Sequence, residues 1–529
     1  MLQRVEKFEN KLKDNLREYG KYMAGGLAVS ILAYFMMMSL NLVNHLDGIW
    51  HLSNFIAGDW EISLGRGLQR YADRARFGIV SDSFNTVLTL LLISMANTSI
   101  IKRLPIDCRP YRIILLMLLS VNPVICESLT YSFTSVNFGL AYLFSVISFS
   151  CFSQANTPAA GSGWKQPLAK GSAAGLFLGI SMAFYQAYIG VTCLLITLFL
   201  LKLLCGRSEP RRIARCIFSG FYTILCGGIL YYAITQALLL RAGIPLAPYK
   251  GAANITPWLI ITRLPQSVKQ CYSEFFSFFT EAKALSRLEF IDVVLLGIAA
   301  YYLFALIIQA VRLARNSLAS AMLFTALIIL LPVACCFVLI IAVGNSMTGL
   351  MSMGLIMCPV LLGAVIPGPG RLGFYMKRLN ILLLAGLAWF QLSAVTNDQL
   401  ALKEGKTATV TLAENIIYQL SREGYLGAQQ PVALVGRPAN NDLFAQSTAF
   451  RLANEYAKFG CWSTDARNNR VSWEGIISNF LGVNVNLCGD TEYRELISLE
   501  QVADMPEFPS EGSICVIRDT VVVKVSDLY

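Results

Sequence analysis

Long apolar runs, recurring along the chain and separated by short basic segments, constrain this sequence more than anything else in it. About twenty consecutive apolar residues cross the ~30 Å hydrocarbon core of a bilayer as a helix, and backbone in lipid must satisfy its own hydrogen bonds. The chain is 529 residues long, 55% hydrophobic and only 14% charged, where average chains carry roughly 25% charged residues. These features imply a polytopic α-helical membrane protein. The net charge of +10 sits in clusters at the ends of the apolar runs, the positions that encode membrane orientation. No nucleic acid is therefore expected as a partner. Cysteines such as Cys193, Cys226, Cys335, Cys336 and Cys358 lie inside apolar runs and read as small packing residues. No Cys/His cluster has zinc spacing.

Basic residues order the topology. Arg4, Lys7, Lys11, Lys13, Arg17 and Lys21 precede the first span, Tyr22 to Val43, and place the N-terminus (1–21) in the cytoplasm, with a first loop, 44–78, outside. This N-terminus is too long and charged for a cleavable signal. Ile79 to Ile101 returns to Lys102 and Arg103, and Ile113–Cys126 and Phe133–Phe152 form a pair about an outer turn at Glu127–Tyr131. Gly171 to Leu204 has basic loops at both ends, which two short helices meeting near Tyr185-Gln186 satisfy and one crossing does not. Cys216–Leu240 leads to a second external segment, 241–288, whose alternating aromatics and charges suit an interfacial helix. Phe290–Val311, Leu318–Val343, Gly349–Ile366 and Leu379–Val395 complete about 11 transmembrane helices by this reading. From Thr396 the composition turns polar. The segment Glu404–Gly424 is helical in pattern, Pro431–Gly436 reads as a strand and Ser513–Val525 as a hairpin, which predicts a periplasmic α/β domain over 397–529. In an oxidising compartment Cys461 and Cys488 are its preferred disulfide.

Polar chemistry concentrates in Asn44–Arg76, which holds both histidines of the chain, His45 and His51. Asp47, Asp59 and Glu61 stand there beside apolar surface, where desolvation raises a carboxyl pKa toward that of a useful general base. Trp60 offers a face on which a sugar stacks. Arg66, Arg70 and Arg74, at i, i+4 and i+8, form one stripe if helical. Guanidinium forks match phosphate oxygens, and the alternative role is lipid headgroups or pairing with Asp73. Gly65 and Gly67 suggest a turn with close backbone approach around Arg66. Arg263 and Lys269, with Lys250 and Lys283, give the second segment a basic face toward a lipid phosphate. Tyr185-Gln186 and Asn345-Ser346 are polar groups at membrane depth, where such groups line cavities. A divalent metal on His45, Asp47 and His51 is a weaker alternative, because no recognised ligand spacing is matched. The polar C-terminal segment has no histidine and so no Ser-His-Asp or Cys-His site.

This order of features resembles the GtrII-type bacterial and phage O-antigen glucosyltransferases, a branch of the GT-C membrane glycosyltransferases. It is carried by the acidic first loop with Gly65-Arg66, the mid-chain Tyr185-Gln186, and about eleven spans before an external domain. The resemblance implies a GT-C-like bacterial inner-membrane enzyme. It would move a sugar, typically glucose, from an undecaprenyl-phosphate donor to a lipid-linked O-antigen acceptor on the periplasmic face, with inversion. It also implies a first-loop acid as base, Arg66 on the donor phosphate, and a separate donor synthase and flippase as partners. The first acid stands alone in His45-Leu46-Asp47-Gly48, not in an adjacent acidic pair, so Asp47, Asp59 and Glu61 all stay open. A lipid-oligosaccharide flippase or transporter fits less well, since no internal repeat is visible. An O-antigen polymerase or ligase gathers its arginines in later loops.

Overall fold

The computed structural model describes residues 19–44, 46–104, 106, 108–157, 165–249, 256–280, 291–342, 344–363, 371–426, 430–438 and 466–527. Helices dominate it. In chain order they are α1 (19–39, with a turn at Tyr34), α2 (Asp59–Ser63), α3 (Gln69–Ala75), α4 (Asp82–Arg103), α5 (Arg109–Ser120), α6 (Pro123–Thr130), α7 (Ser135–Ala155) and α8 (Lys165–Phe184). There follow α9 (Ile189–Cys205), α10 (Pro210–Ala242), α11 (Pro257–Thr280), α12 (Ile291–Ala314), α13 (Leu318–Cys335), α14 (Val338–Ile341), α15 (Met353–Leu362) and α16 (Arg371–Arg422). Beyond them lie β1 (Val432–Val435), α17 (Ala466–Gly475), α18 (Asp490–Ile497), α19 (Glu500–Ala503), β2 (Ile514–Ile517) and β3 (Thr520–Lys524). Among the described residues eight helices are long and apolar enough to cross a membrane, and Lys170–Phe184 and Met353–Leu362 are shorter apolar helices.

Local chemistry sets the boundaries. Ser81 caps α4 by accepting from Phe84 N–H, and Asn122 caps α6 by accepting from Ile125 N–H with Pro123 at its first position, the role Ser and Asn play at exposed helix N–H groups. The Asn122-Pro123 break divides one apolar run into α5 and α6. The expected outer turn at Glu127–Tyr131 is corrected by this: α6 continues to Thr130, so Glu127 is a helical residue pointing inward. The expected pair of short helices is present, α8 and α9 meeting at Tyr185 and a 3-10 turn, Gln186–Tyr188. α8 packs on α10 through Gly175 and Gly179, where an added Cβ would meet Cys226 Cβ at 2.6 Å and Leu230 Cβ at 2.9 Å. Small residues one turn apart let two helix backbones approach this closely.

Two expectations change. The composition shift at Thr396 is no backbone boundary, because α16 runs unbroken through it for 52 residues. Good helix formers such as Ala, Leu, Lys and Glu continue on both sides of it. The run Gly349–Ile366 becomes a 3-10 turn, Gly349–Met351, followed by the ten-residue α15. In the segment 241–288, the described residues beyond α10 include the helix α11, with Pro265 inside it. Lys250, Lys283 and the Gly/Ser/Pro-rich stretch 158–164 lie outside the described residues.

The C-terminal segment forms a three-stranded sheet in the order β1-β3-β2, with β1 parallel and β2 antiparallel to β3. The β2–β3 turn places Arg518 (φ 49°) and Asp519 (φ 64°) in the left-handed region, the conformation of a two-residue type I′ hairpin. Cys488 is a free, buried thiol, and its expected partner Cys461 lies outside the described residues. One apolar cluster of this segment includes Leu412, Ile416, Trp473 and Ile476, and it takes in Ile49 of the first loop and Val43 just before it.

Candidate active site in the first loop

The first loop is held in place by ties to its neighbours. Asn44 N–H donates to Thr130 O at 2.8 Å, and Asn44 Oδ1 accepts from the N–H groups of Leu46 (2.8 Å) and Asp47 (3.0 Å). A short polar side chain bonding backbone two and three residues on makes a tight turn, and it fixes Asp47 beside the end of α6. On the far side of the loop, Gln69 Nε2 donates to Phe184 O (2.8 Å) and Gln186 Nε2 to Leu64 O (2.7 Å) and Tyr231 Oη (2.9 Å). The exposed polar end of the α8–α9 break is thereby spent on the loop. Gly65 has φ +75°, and a Cβ there would meet Tyr231 Oη at 2.3 Å. Glycine is needed at that turn for both reasons.

A cavity of about 630 Å³ lies between this loop, the α8–α9 break, α10 and the 338–351 segment. Its polar lining includes Asp47, His51, Glu61, Arg66, Glu127 and Gln186, with Asn345 and Ser346 from the later turn. Tyr131, Phe133, Phe138 and Tyr185 give it an aromatic wall. Trp60 joins Tyr249 at its rim, with ring centroids 5.7 Å apart and nearly perpendicular. Trp60, Tyr185 and Gln186 lie in its lining.

The three candidate acids separate. Asp47 is reached by solvent yet closely surrounded by protein at the cavity; desolvation raises its carboxyl pKa, with Glu61 adding and His51 and Arg66 opposing. Glu61 lines the cavity too, but its Oε2 accepts from Gly58 N–H at 2.6 Å, the first turn of α2. Asp59 does not line it. Its side chain is 66% exposed and pairs with Arg70 at 2.7 Å.

The arginine stripe also separates, because Gly65 and Gly67 break the chain between α2 and α3 and no single helix carries all three residues. Arg66 faces the cavity, its guanidinium 4.7 Å from the Tyr185 ring centroid. Its Nε is buried without a hydrogen-bond partner among the described residues. Among the described residues it is the one lysine or arginine in the cavity lining. Arg70 donates to Ala57 O (2.8 Å) in addition to Asp59, and Arg74 is exposed. Arg263 and Lys269 are exposed on α11 and outside the lining, Arg263 bonding Gln266 at 3.2 Å. The phosphate-binding group expected from the sequence thus reduces at the cavity to Arg66.

His51 packs against two aromatic rings. Its ring sits 4.4 Å from Phe55 and 4.7 Å from Phe133, and desolvation lowers its pKa, opposed by Glu61 and Asp47. His45 lies outside the described residues. No group of three His, Cys, Asp or Glu side chains poised for a metal occurs among the described residues.

Two features were not foreseen. Asp73 and Arg76 form a buried ion pair at 3.0 Å, and Asp73 also accepts from Asn137 Nδ2 and Ala57 N–H, both at 2.9 Å. This node and Arg70 grip the Ala57 peptide from two sides. The other is Glu127, whose carboxyl reaches the cavity from α6. A lone acid at the end of an apolar run gives no periodic signal; the Asn122-Pro123 capping pair is the hint that a new helix starts there and turns it inward.

A comparison with curated proteins finds no match. The family model described as Glucosyl transferase GtrII matches residues 52–359, a stretch that contains Glu61, Arg66, Glu127 and Gln186 and begins just after Asp47. It spans more than half of the chain, which belongs to the GtrII glucosyl transferase family.

Proposed function

We propose that the protein transfers a glucosyl group from an undecaprenyl-phosphate donor to lipid-linked O-antigen or a related surface polysaccharide, at the periplasmic face of the inner membrane. Within the family's chemistry, the observation that carries this reading is Arg66: a guanidinium facing an aromatic-walled cavity, with an unpartnered buried Nε and Asp47 on the same cavity. An anionic lipid phosphate supplies the missing partner, and aromatic faces suit a sugar ring.

The reaction then runs as one inverting displacement. An acceptor hydroxyl oxygen forms a bond to the anomeric carbon as its proton passes to the Asp47 carboxylate. The bond from that carbon to the phosphate oxygen breaks, and its electron pair leaves with polyprenyl phosphate. Arg66 balances the charge that develops on the leaving oxygen, so no acid has to protonate it. Glu61 supports Asp47 from a position already fixed by Gly58. The C-terminal segment, packed on Ile49, shapes the acceptor side of the loop. A donor synthase and a flippase supply the polyprenyl-phosphate glucose on the external side.

Co-expression with a polyprenyl-phosphate-glucose synthase in a host bearing O-antigen tests the reading by sugar analysis. A new glucosyl branch is the expected outcome. Altered chain length without new glucose identifies a polymerase and overturns it.

A further inference from the structure

Glu127 is 8% exposed, on a helix in the apolar part of the molecule, and it still reaches the cavity. The Leu350 backbone N–H is directed at its carboxyl group. The second oxygen, Oε2, is buried and has no hydrogen-bond partner among the described residues. A buried polar atom left bare is costly, and a native structure tolerates it where a ligand completes the bond. Thr130 does not complete it, since its hydroxyl is turned to Glu127 O at 2.7 Å. Arg66 does not complete it either, since its Nε and Glu127 Oε2 both lack a hydrogen-bond partner among the described residues.

We infer that Glu127 Oε2 is the binding point for a hydroxyl of the sugar that occupies the cavity, a subsite separate from the phosphate position at Arg66 and from the base at Asp47. The inference rests on glucosyl transfer taking place in this cavity. A carboxyl group suits a sugar hydroxyl, which donates and accepts at one atom. An apolar lipid tail leaves Oε2 bare, and the phosphate has its own partner at Arg66. The aromatic residues Tyr131 and Phe138, which share the lining, offer the flat apolar contact that a ring carrying such a hydroxyl requires. The hydroxyl belongs either to the glucosyl group of the donor or to the acceptor saccharide, and the two sources give different results.

Tryptophan fluorescence, with Trp60 at the cavity rim, follows binding to detergent-solubilised full-length protein. The probes are prenyl phosphate, prenyl-phosphoglucose, a lipid-linked oligosaccharide and its bare lipid diphosphate. A donor hydroxyl predicts that Glu127→Ala weakens prenyl-phosphoglucose about ten-fold while prenyl phosphate is unchanged. An acceptor hydroxyl predicts the same loss for the oligosaccharide with its bare lipid unchanged. Glu127→Gln, which keeps shape and hydrogen bonding in both directions, retains the parent melting temperature and loses less. Unchanged affinity for both sugar probes in Glu127→Ala, or equal losses with and without sugar, overturns the subsite. A Glu127-dependent sugar increment in a protein that transfers no glucose leaves the subsite standing and removes the transferase reading.

Discussion

At the residue scale the proposed mechanism divides the chemistry between Asp47 and Arg66, and each role has a distinct kinetic signature. A general base contributes about 10²–10⁴-fold, so Asp47→Asn lowers kcat by that factor while donor affinity holds. Arg66→Ala removes a charge that acts most strongly as the phosphate leaves; it costs about 10²–10³-fold in kcat/KM, read from initial rates at varied donor. The pH profile follows from the direction of the Asp47 shift. Burial raises its pKa, with Glu61 adding and His51 and Arg66 opposing, and only its deprotonated form accepts a proton. Activity therefore falls as pH drops through a value above that of a free aspartate, and the limb disappears from the residual activity of Asp47→Asn. His51, its pKa lowered by desolvation, is neutral at neutral pH and adds no limb there. An acidic limb at an ordinary carboxylate pKa would contradict the assignment of Asp47. The sequence carried the residue types for this: scarce polar groups in one loop named both Asp47 and Arg66. It did not rank them, because Asp59 and Arg70 look equivalent on paper and are told apart only by their bond to each other.

At the scale of elements, the first loop is a scaffold of irregular backbone pinned to helices, and its stability lies in one buried pair. Asp73 is fully buried, and Arg76 is 7% exposed. Breaking a buried pair from one side costs about 3–5 kcal/mol because the remaining charge is stranded. Asp73→Asn keeps the shape and strands Arg76, so it lowers the melting temperature in detergent far more than Arg70→Ala, which breaks a half-exposed pair. Equal shifts for the two variants would show that Ala57 is not held chiefly by this node. The α8–α9 break was legible because topology demands it: basic loops at both ends of one apolar run require two crossings. The arginine stripe misled for an equally physical reason. Spacing of four residues makes a stripe only in a continuous helix, and Gly65, with its positive φ, ends α2 before α3 begins.

At the scale of the whole molecule, α16 joins the apolar helices to the sheet segment without a break. Its 52 residues span about 78 Å at 1.5 Å per residue. Gln399 accepts from Met37 N–H at 3.3 Å and donates to Ala33 O at 2.8 Å, and Lys406 Nζ donates to Leu40 O and Asn41 O at 3.1 and 3.0 Å. These side chains satisfy α1 where it ends, so the helix that leads into the first loop is braced by the helix that leads out to the sheet. A composition profile sees only the rise in polarity at Thr396; a polar residue that bonds a neighbouring helix end looks the same as one facing water. The sheet segment closes the arrangement through Trp473 and Ile476 against Ile49, and through Asn479 Nδ2, which donates to Ile49 O at 2.6 Å. Ile49 stands two residues after Asp47, in a 3-10 turn, Gly48–Trp50, so this contact helps to place the Asp47 carboxylate, the base of the proposed mechanism. Asn479→Ala removes one hydrogen bond, worth about 1 kcal/mol, and touches no residue of the cavity lining. It is expected to leave the melting temperature within a few degrees of the parent and to lower kcat several-fold with donor KM unchanged, because the base is displaced while Arg66 is not. A KM effect without a kcat effect would instead place the sheet segment on the donor side of the cavity.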